Sequence, residues 1–244
     1  VLLHGWATGR TSMRPIFDAL RAAYRVINVD LPGHGDSAVP DDEDQLAVPV
    51  VAQDIAALCA ARGITSTVLV GHSFGGAIAL ELAAQRQDLV EAVVAVEGIL
   101  FTPAAVVEQS AGLFAALRSP AWREVMTEVL TAGFLPTDDQ ALLHRLIDEM
   151  RAMPQHVVAA IPDQVLRWDV ESAAKAVGAV GTPLLYIEGP GGLADLDALR
   201  ERCPQLTIGK TVGVGHDQML ETPMQTASMI SAFLAATLDR QRSV

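Results

Sequence analysis

Cysteine is scarce in this chain, and no motif surrounds the cysteines it has. Cys59 and Cys203 are the only two among 244 residues, and their spacing fits neither a disulfide framework nor a metal site. We expect two packed thiols and a reducing, cytoplasmic compartment. Long apolar runs are scarce too, since the longest, residues 92–107, is interrupted by a glutamate, a glycine and a proline. No membrane-spanning helix is therefore predicted.

Basic residues are also few. The chain has 17 lysines and arginines against 29 acidic residues, a formal charge of −12. Because that charge repels phosphate backbones and anionic lipids, we expect neither nucleic acid nor a membrane surface as a partner. Apolar residues make up 50% of the chain, which suffices for a large core without disulfides or metals. The expected partner is a small-molecule substrate, and the composition is compatible with a monomer or a homodimer.

Strand-like and helix-like runs alternate over residues 1–100, which predicts an α/β fold with a mostly parallel sheet flanked by helices. Over residues 101–168 the apolar side chains recur at helical spacing without a strand pattern. Prolines such as Pro162 are expected between these helices. We predict one core formed by residues 1–100 and 169–244, interrupted by a helical insertion of residues 101–168.

The run Gly-His-Ser-Phe-Gly at residues 71–75 fits the pattern G-x-S-x-G. This pattern is typical of the strand-to-helix turn that lifts a serine hydroxyl out of an α/β sheet. A β-branched run precedes it at residues 67–70, and a strong helix-forming run follows it at residues 76–84. We therefore predict that Ser73 is a nucleophile on an elbow, with a solvated serine in a tight turn as the alternative.

Three further runs accompany this elbow: His-Gly-Trp at residues 4–6, Asp-Leu-Pro-Gly-His-Gly-Asp-Ser at residues 30–37, and Gly-His-Asp-Gln-Met-Leu-Glu-Thr-Pro at residues 215–223. Together the four runs resemble the α/β-hydrolase fold family over essentially the whole chain. The resemblance implies that the helical insertion is a cap over the active site. It also implies two further strands upstream of Val1.

The resemblance also implies the partners of Ser73. A serine hydroxyl needs a neutral imidazole to take its proton. His216 lies in the loop after the last predicted strand, where family members place this base. The oxyanion hole is expected to use the backbone N–H groups of Phe74, which follows the nucleophile, and of Trp6, in the loop after the first strand.

The acid has two candidates. Most family members carry it after the penultimate strand, where this chain has a glycine-rich loop at residues 189–192. Asp195 follows that loop, but a carboxylate there is expected to cap a helix. Glu97 ends the apolar strand after the elbow, where strand ends face the ligand crevice and an unpaired buried carboxylate is costly. We predict Glu97 as the acid and keep Asp195 as the less favoured alternative.

These residues predict a serine hydrolase that cleaves a carboxylic ester, a lactone or a related acyl bond, including a C–C bond, of a small, largely apolar substrate. A cofactor-free dioxygenase with a His–acid dyad and a non-catalytic ligand-binding member are the alternatives. No cofactor is expected, because residues 189–192 lack the lysine and the glycine spacing of a phosphate loop and no metal or dinucleotide motif is present. Candidates to line the pocket, each of which could instead pack between cap helices, are Leu100, Phe101, Phe114, Phe134 and Trp168.

Overall fold

The computed structural model describes residues 1–189 and 192–242. In this part of the chain six strands form one parallel sheet in the order β2-β1-β3-β4-β5-β6. The strands are β1 (Leu2–Leu3), β2 (Asn28–Val29), β3 (Thr67–His72), β4 (Val90–Val96), β5 (Leu184–Glu188) and β6 (Leu206–Lys210). The predicted fold class is confirmed.

The sheet is covered on both faces by helices. Eleven α-helices lie in the described residues: α1 (Arg14–Leu20), α2 (Val48–Ala61), α3 (Phe74–Gln85), α4 (Ala104–Ala116), α5 (Trp122–Gly133), α6 (Gln140–Arg151), α7 (Gln155–Glu171), α8 (Ala173–Ala179), α9 (Leu196–Arg202), α10 (Gln218–Glu221) and α11 (Pro223–Arg242). Helices α2, α3 and α8 pack on one face, and α1 and α11 pack on the other. Short 3₁₀ turns precede α1 and α2.

The sequence of β4 explains this sandwich. Successive side chains of a strand point to opposite faces of the sheet. Val93 and Ala95 therefore pack with α2 and α3, while Val94 and Val96 pack with α1 and α11. All four are fully buried, so a continuous apolar run is the expected pattern for a parallel strand covered on both sides.

Five helices, α4 to α8, lie between β4 and β5 in the described residues, and the first four cover most of the predicted insertion. The division of the chain at residues 101 and 168 remains a prediction, but α7 continues to Glu171, so the second boundary falls inside a helix. The expectation that Pro162 separates two helices was wrong. Pro162 is a buried residue inside α7, where packing on the core holds the helix together despite the missing N–H group.

The two connections between the insertion and the sheet lie side by side. Asp169, near the end of α7, is 7% exposed, and its carboxylate accepts hydrogen bonds from the backbone N–H groups of Phe101 (2.6 Å) and Thr102 (2.8 Å). The indole of Trp168 donates to Glu81 of α3 at 2.7 Å. The insertion is therefore fixed to the core at its base. No helix among the described residues has the length and apolar character needed to cross a membrane.

Candidate active site

Ser73 stands on the turn between β3 and α3, in a left-handed backbone conformation with φ of 50° and ψ of −115°. Glycines on either side make this turn possible. A Cβ atom at Gly71 would lie 2.1 Å from the carbonyl oxygen of Gly75, and one at Gly75 would lie 2.4 Å from that of Leu3. The turn is therefore packed so tightly against itself and against β1 that neither position accepts a side chain.

Positive φ angles mark the same edge of the sheet. Among the described residues, four that are not glycine have them: Ala7 (56°), Ser73 (50°), Glu97 (45°) and Phe101 (52°). All four follow the carboxyl ends of β1, β3 and β4, where parallel strands leave a ligand crevice. Such conformations cost free energy and cluster at functional sites. The strained residues include the predicted nucleophile and the predicted acid.

The imidazole of His216 meets the carboxylate of Glu97. Nδ1 of His216 lies 3.0 Å from Oε2 of Glu97, and Oε1 of Glu97 accepts a hydrogen bond from the backbone N–H of Gly189 at 2.7 Å. Glu97 is 0% exposed, so these contacts replace the water that the carboxylate has lost. Because a carboxylate accepts, Nδ1 carries the proton and Nε2 of the neutral ring is free to accept one.

The surroundings of His216 shift its pKa in opposite directions. Burial lowers the pKa of the imidazole, but the hydrogen bond to Glu97 and the nearby charges of Asp217, Glu97 and Glu221 raise it. The net effect is a pKa above the ordinary histidine value of 6.5. The ring therefore accepts a proton more readily than a free imidazole, as a general base requires.

The backbone of His216 is bound to the elbow and to the cap. His72 donates from Nε2 to the carbonyl oxygen of His216 at 3.1 Å, and the N–H of His216 donates to the carbonyl oxygen of Gly133 in α5 at 3.0 Å. Burial lowers the pKa of His72 well below its ordinary value, so this ring is neutral. A hydrogen bond from Ser73 to His216 is not present among the described residues; such contacts often tighten only in the substrate complex.

The loop after β1 lies directly against Ser73. A Cβ atom at Gly5 would lie 3.3 Å from Cβ of Ser73 and 2.7 Å from Nδ1 of His72. Phe74 is the first residue of α3, so its N–H has no partner within the helix. The N–H of Trp6 makes no backbone hydrogen bond in the described loops and turns. Both predicted oxyanion donors are therefore without a backbone partner in this part of the structure.

The residue after β5, Gly189, packs against the side chains of Glu97 and Gln218. A Cβ atom at Gly189 would lie 2.1 Å from Nε2 of Gln218 and 2.9 Å from the carboxyl carbon of Glu97. The space in which a side chain at position 189 would begin is thus already filled. Asp195 is exposed and caps α9 by accepting from the N–H groups of Asp197 (3.1 Å) and Ala198 (3.0 Å). Glu97, and not Asp195, is brought to His216.

The five predicted pocket residues do not form one surface. Leu100 and Trp168 pack in the main core, and Phe134 packs between cap helices. The guanidinium of Arg202 stands over the ring of Phe101, 5.1 Å from its centre. Phe114 is the member that reaches the loop after β1, through the ring of Trp6.

Trp6 connects this loop to the cap. Its ring meets that of Phe114 edge to face at 6.0 Å between centres, and its indole N–H donates to the carbonyl oxygen of Val158 in α7 at 3.0 Å. A cavity of about 520 Å³ begins at the next residue, Ala7, and extends to Asp30 and Met153, but neither Trp6 nor Phe114 lines it. Sequence reasoning missed Val158, because a main-chain acceptor leaves no signal in the side-chain pattern.

Known proteins share this architecture. A family model described as the alpha/beta hydrolase fold matches residues 1–223. The chain belongs to the alpha/beta hydrolase fold family. The predicted resemblance is confirmed.

Relatives within the alpha/beta hydrolase family include two esterases of the same name. A pimeloyl-(acyl-carrier protein) methyl ester esterase of Vibrio atlanticus (strain LGP32) is 30% identical over 213 residues, covering 85% of this chain and 71% of that protein. The esterase of that name from Xanthomonas campestris pv. campestris (strain B100) is 30% identical over 97% of this chain and 94% of its own. The chain is therefore an alpha/beta hydrolase enzyme similar to esterases.

Solved structures extend the likeness in fold. The enol-lactonase from Burkholderia xenovorans LB400 superposes with a TM-score of 0.82, covering 96% of this chain and 90% of that one. Its sequence is 18% identical, so this similarity concerns the fold alone.

Proposed function

We propose that the protein is a serine hydrolase that cleaves a carboxylic ester, a lactone or a related acyl bond of a small, largely apolar substrate through an acyl-enzyme on Ser73. The observation that carries the proposal is the contact of 3.0 Å between His216 Nδ1 and the buried carboxylate of Glu97. That contact leaves Nε2 of His216 free to accept a proton, and the pKa of His216 is raised. The loop that carries His216 is hydrogen-bonded to His72, the residue before Ser73.

Acylation follows from this arrangement. The Ser73 hydroxyl oxygen attacks the substrate carbonyl carbon while its proton passes to Nε2 of His216. The resulting imidazolium keeps its Nδ1–H directed at Glu97, whose negative charge stabilises it. The N–H groups of Trp6 and Phe74 donate to the oxyanion, and donors of this kind each contribute about 3–4 kcal/mol to transition-state stabilisation.

Deacylation uses the same groups. Collapse of the tetrahedral intermediate breaks the bond to the leaving alcohol, which takes the proton from Nε2 of His216. A water molecule then attacks the acyl carbon while the now neutral His216 accepts its proton. A second collapse releases the carboxylic acid and returns the proton to the Ser73 oxygen. A lactone follows the same route, with the alcohol and the acid remaining in one molecule.

The apolar surroundings of Trp6, in the loop after β1, support an apolar substrate. Residues around its ring form an apolar cluster that includes Ala7, Leu117, Met126 and Val158. Ser73 is 6% exposed, which favours a small substrate. The two esterase relatives support a carboxylic ester as the reacting group.

A panel of p-nitrophenyl and methyl esters of increasing acyl length, together with simple lactones, tests this proposal. Saturable turnover of at least one member by the wild-type protein, and none by Ser73→Ala, is the expected result. Equal turnover by both proteins would contradict the proposal, because the hydrolysis would then not depend on the serine.

The position of Glu97 after β4 also favours a second candidate, a cofactor-free dioxygenase. In that reaction the His216–Glu97 pair deprotonates an aromatic hydroxyl group, and Ser73 is not acylated. Oxygen consumption with an aromatic substrate, unaffected by a fluorophosphonate, would support this candidate over the hydrolase.

A further inference from the structure

Glu221, the last residue of α10, holds the loop that carries His216. Its Oε2 accepts a hydrogen bond from the N–H of Gly215 at 3.2 Å, and its Oε1 accepts one from the N–H of Asp217 at 3.2 Å. These two peptide groups lie on either side of the base. The remaining backbone groups of His216 are bound by His72 and Gly133, so a loop without regular structure has its main chain fixed around the imidazole.

The cap reaches Glu221 through Asp138, which lies between α5 and α6. Both carboxyl groups lie against Gly215: its N–H donates to Oε2 of Glu221 at 3.2 Å, and a Cβ atom on it would lie 3.2 Å from Oδ2 of Asp138. Asp138 is itself held by the N–H of Leu135. Two carboxyl groups in contact need a shared proton, because like charges at that distance repel each other.

The pKa values around this contact agree with a shared proton. Burial, the hydrogen bond to Asp138 and the charges of Asp138 and Asp217 raise the pKa of Glu221 to about 8, against a smaller lowering by the N–H of Gly215. Burial likewise raises the pKa of Asp217, opposed by the charge of His216. A proton held between the two carboxyl groups leaves both oxygens of Glu221 able to accept the N–H groups of Gly215 and Asp217.

We propose that Glu221 is a positioning residue for the base, and that its contact with Asp138 makes the position of His216 depend on the cap. This inference rests on the proposed role of His216 as the base. Glu221 touches neither the serine nor the reacting atoms, so its effect is exerted through the direction in which Nε2 of His216 points. A cap displaced from the core withdraws Asp138 from Glu221 and Gly133 from the N–H of His216 together.

Three variants test the hold on the loop. Glu221→Ala removes both acceptors, Glu221→Gln keeps one, and Gln225→Ala is the matched control. Gln225 in α11 also binds this loop through two hydrogen bonds: it accepts from the N–H of Val212 at 3.2 Å and donates to the carbonyl oxygen of Val212 at 3.2 Å. These bonds lie at Val212 and not beside His216. Active sites are counted by fluorophosphonate titration, so that misfolded protein does not enter kcat.

The expected changes in kcat follow from the misalignment of His216 with Ser73. Glu221→Ala should lower kcat about 10²-fold with little change in KM, because misplacing a catalytic group by about 1 Å has an effect of that size. Glu221→Gln should lower kcat about tenfold, as the loss of one hydrogen bond implies. Gln225→Ala should keep the wild-type kcat. A wild-type kcat in Glu221→Ala, or an equal loss in Gln225→Ala, would overturn the positioning role.

Asp138 variants test the dependence on the cap. Asp138→Asn keeps a donor to Glu221 and should keep kcat, whereas Asp138→Ala removes the contact and should lower kcat several-fold. A wild-type kcat in Asp138→Ala would overturn the link to the cap.

Proton NMR gives a readout that needs no turnover. The far-downfield signal of the proton between His216 and Glu97 should be present in the wild type, broadened or lost in Glu221→Ala, and unchanged in Gln225→Ala. An unchanged signal in Glu221→Ala would contradict the inference. Absence of fluorophosphonate labelling at Ser73 in the wild type would instead contradict the proposed function, so the two failures are distinguishable.

Discussion

Replacing Glu97 by glutamine tests the assignment of the acid with minimal change of shape. In the native site one carboxylate oxygen accepts from Gly189 N–H at 2.7 Å and the other faces His216 Nδ1 at 3.0 Å. In Glu97→Gln the amide oxygen can still accept from Gly189, but the amide nitrogen then faces Nδ1. Since a donor now faces that nitrogen, the proton of His216 moves to Nε2, which can no longer accept one from Ser73.

The expected loss is large. By analogy with other triad acids, this change of tautomer lowers kcat up to ~10⁴-fold, which corresponds to about 5 kcal/mol of transition-state stabilisation at about 1.4 kcal/mol for each factor of ten. The opposite amide rotamer keeps the tautomer but turns an NH₂ group against the N–H of Gly189, which leaves that buried group unpaired at a cost of about 1–3 kcal/mol. Both rotamers therefore weaken the site.

The pH profile gives a second, independent readout. His216 must be neutral to accept a proton, so kcat/KM rises as pH rises through its pKa, which lies above the ordinary value of 6.5. Loss of the Glu97 charge and hydrogen bond removes two of the causes that raise this pKa. The acid limb of Glu97→Gln should therefore move to lower pH.

The assay is kcat/KM against pH for the best ester of the panel, with Asp195→Asn as the matched carboxylate-to-amide control. Asp195→Asn should keep the wild-type profile, because Asp195 is an exposed helix cap. A Glu97→Gln enzyme with near wild-type kcat and an unshifted acid limb would refute the assignment.

Two further predictions concern stability. Gly75→Ala should lower the free energy of unfolding by about 1–3 kcal/mol or more, since its Cβ would lie 2.4 Å from the carbonyl oxygen of Leu3. Gly178→Ala in α8 is the control and should raise the free energy of unfolding by up to about 1 kcal/mol, because its Cβ meets nothing within 4 Å. Urea unfolding measures both changes, and a change of the same sign in the two variants would contradict the packing argument. Asp169→Asn should lower the unfolding free energy by about 1–3 kcal/mol, because one of the two N–H groups at the base of the cap loses its acceptor; an unchanged melting temperature would show that this contact does not hold the cap.

The elements with strong local patterns were predictable. The elbow strand lies at Thr67–His72 and the helix after it at Phe74–Gln85, close to the runs at residues 67–70 and 76–84 that predicted them. In the apolar stretch at residues 24–29 the strand is short, because only Asn28–Val29 pairs with β1 at this edge of the sheet. Helix α10 has four residues, too few to leave a periodic signal.

The site could be predicted in part, for a physical reason. The elbow is encoded locally, in glycines whose missing side chains the turn requires. The contact between Glu97 and His216 joins residues 119 positions apart, so which carboxylate reaches the imidazole depends on tertiary packing and not on a local pattern. The sequence reduced the candidates for the acid to Glu97, because it ends a strand, and Asp195, which was expected to cap a helix. The residues that line the pocket depend on how the cap helices pack against each other. The helical spacing of apolar residues does not indicate that Trp168 and Phe134 make interior contacts.

The central claim is that Ser73 becomes acylated. Incubation with a fluorophosphonate followed by peptide mass spectrometry tests it most directly, with ester hydrolysis measured on the same samples. The account predicts one adduct, located on Ser73, formed in step with the loss of hydrolysis and absent from Ser73→Ala. Full hydrolytic activity in protein whose Ser73 is fully modified, or turnover that persists in Ser73→Ala, would contradict it.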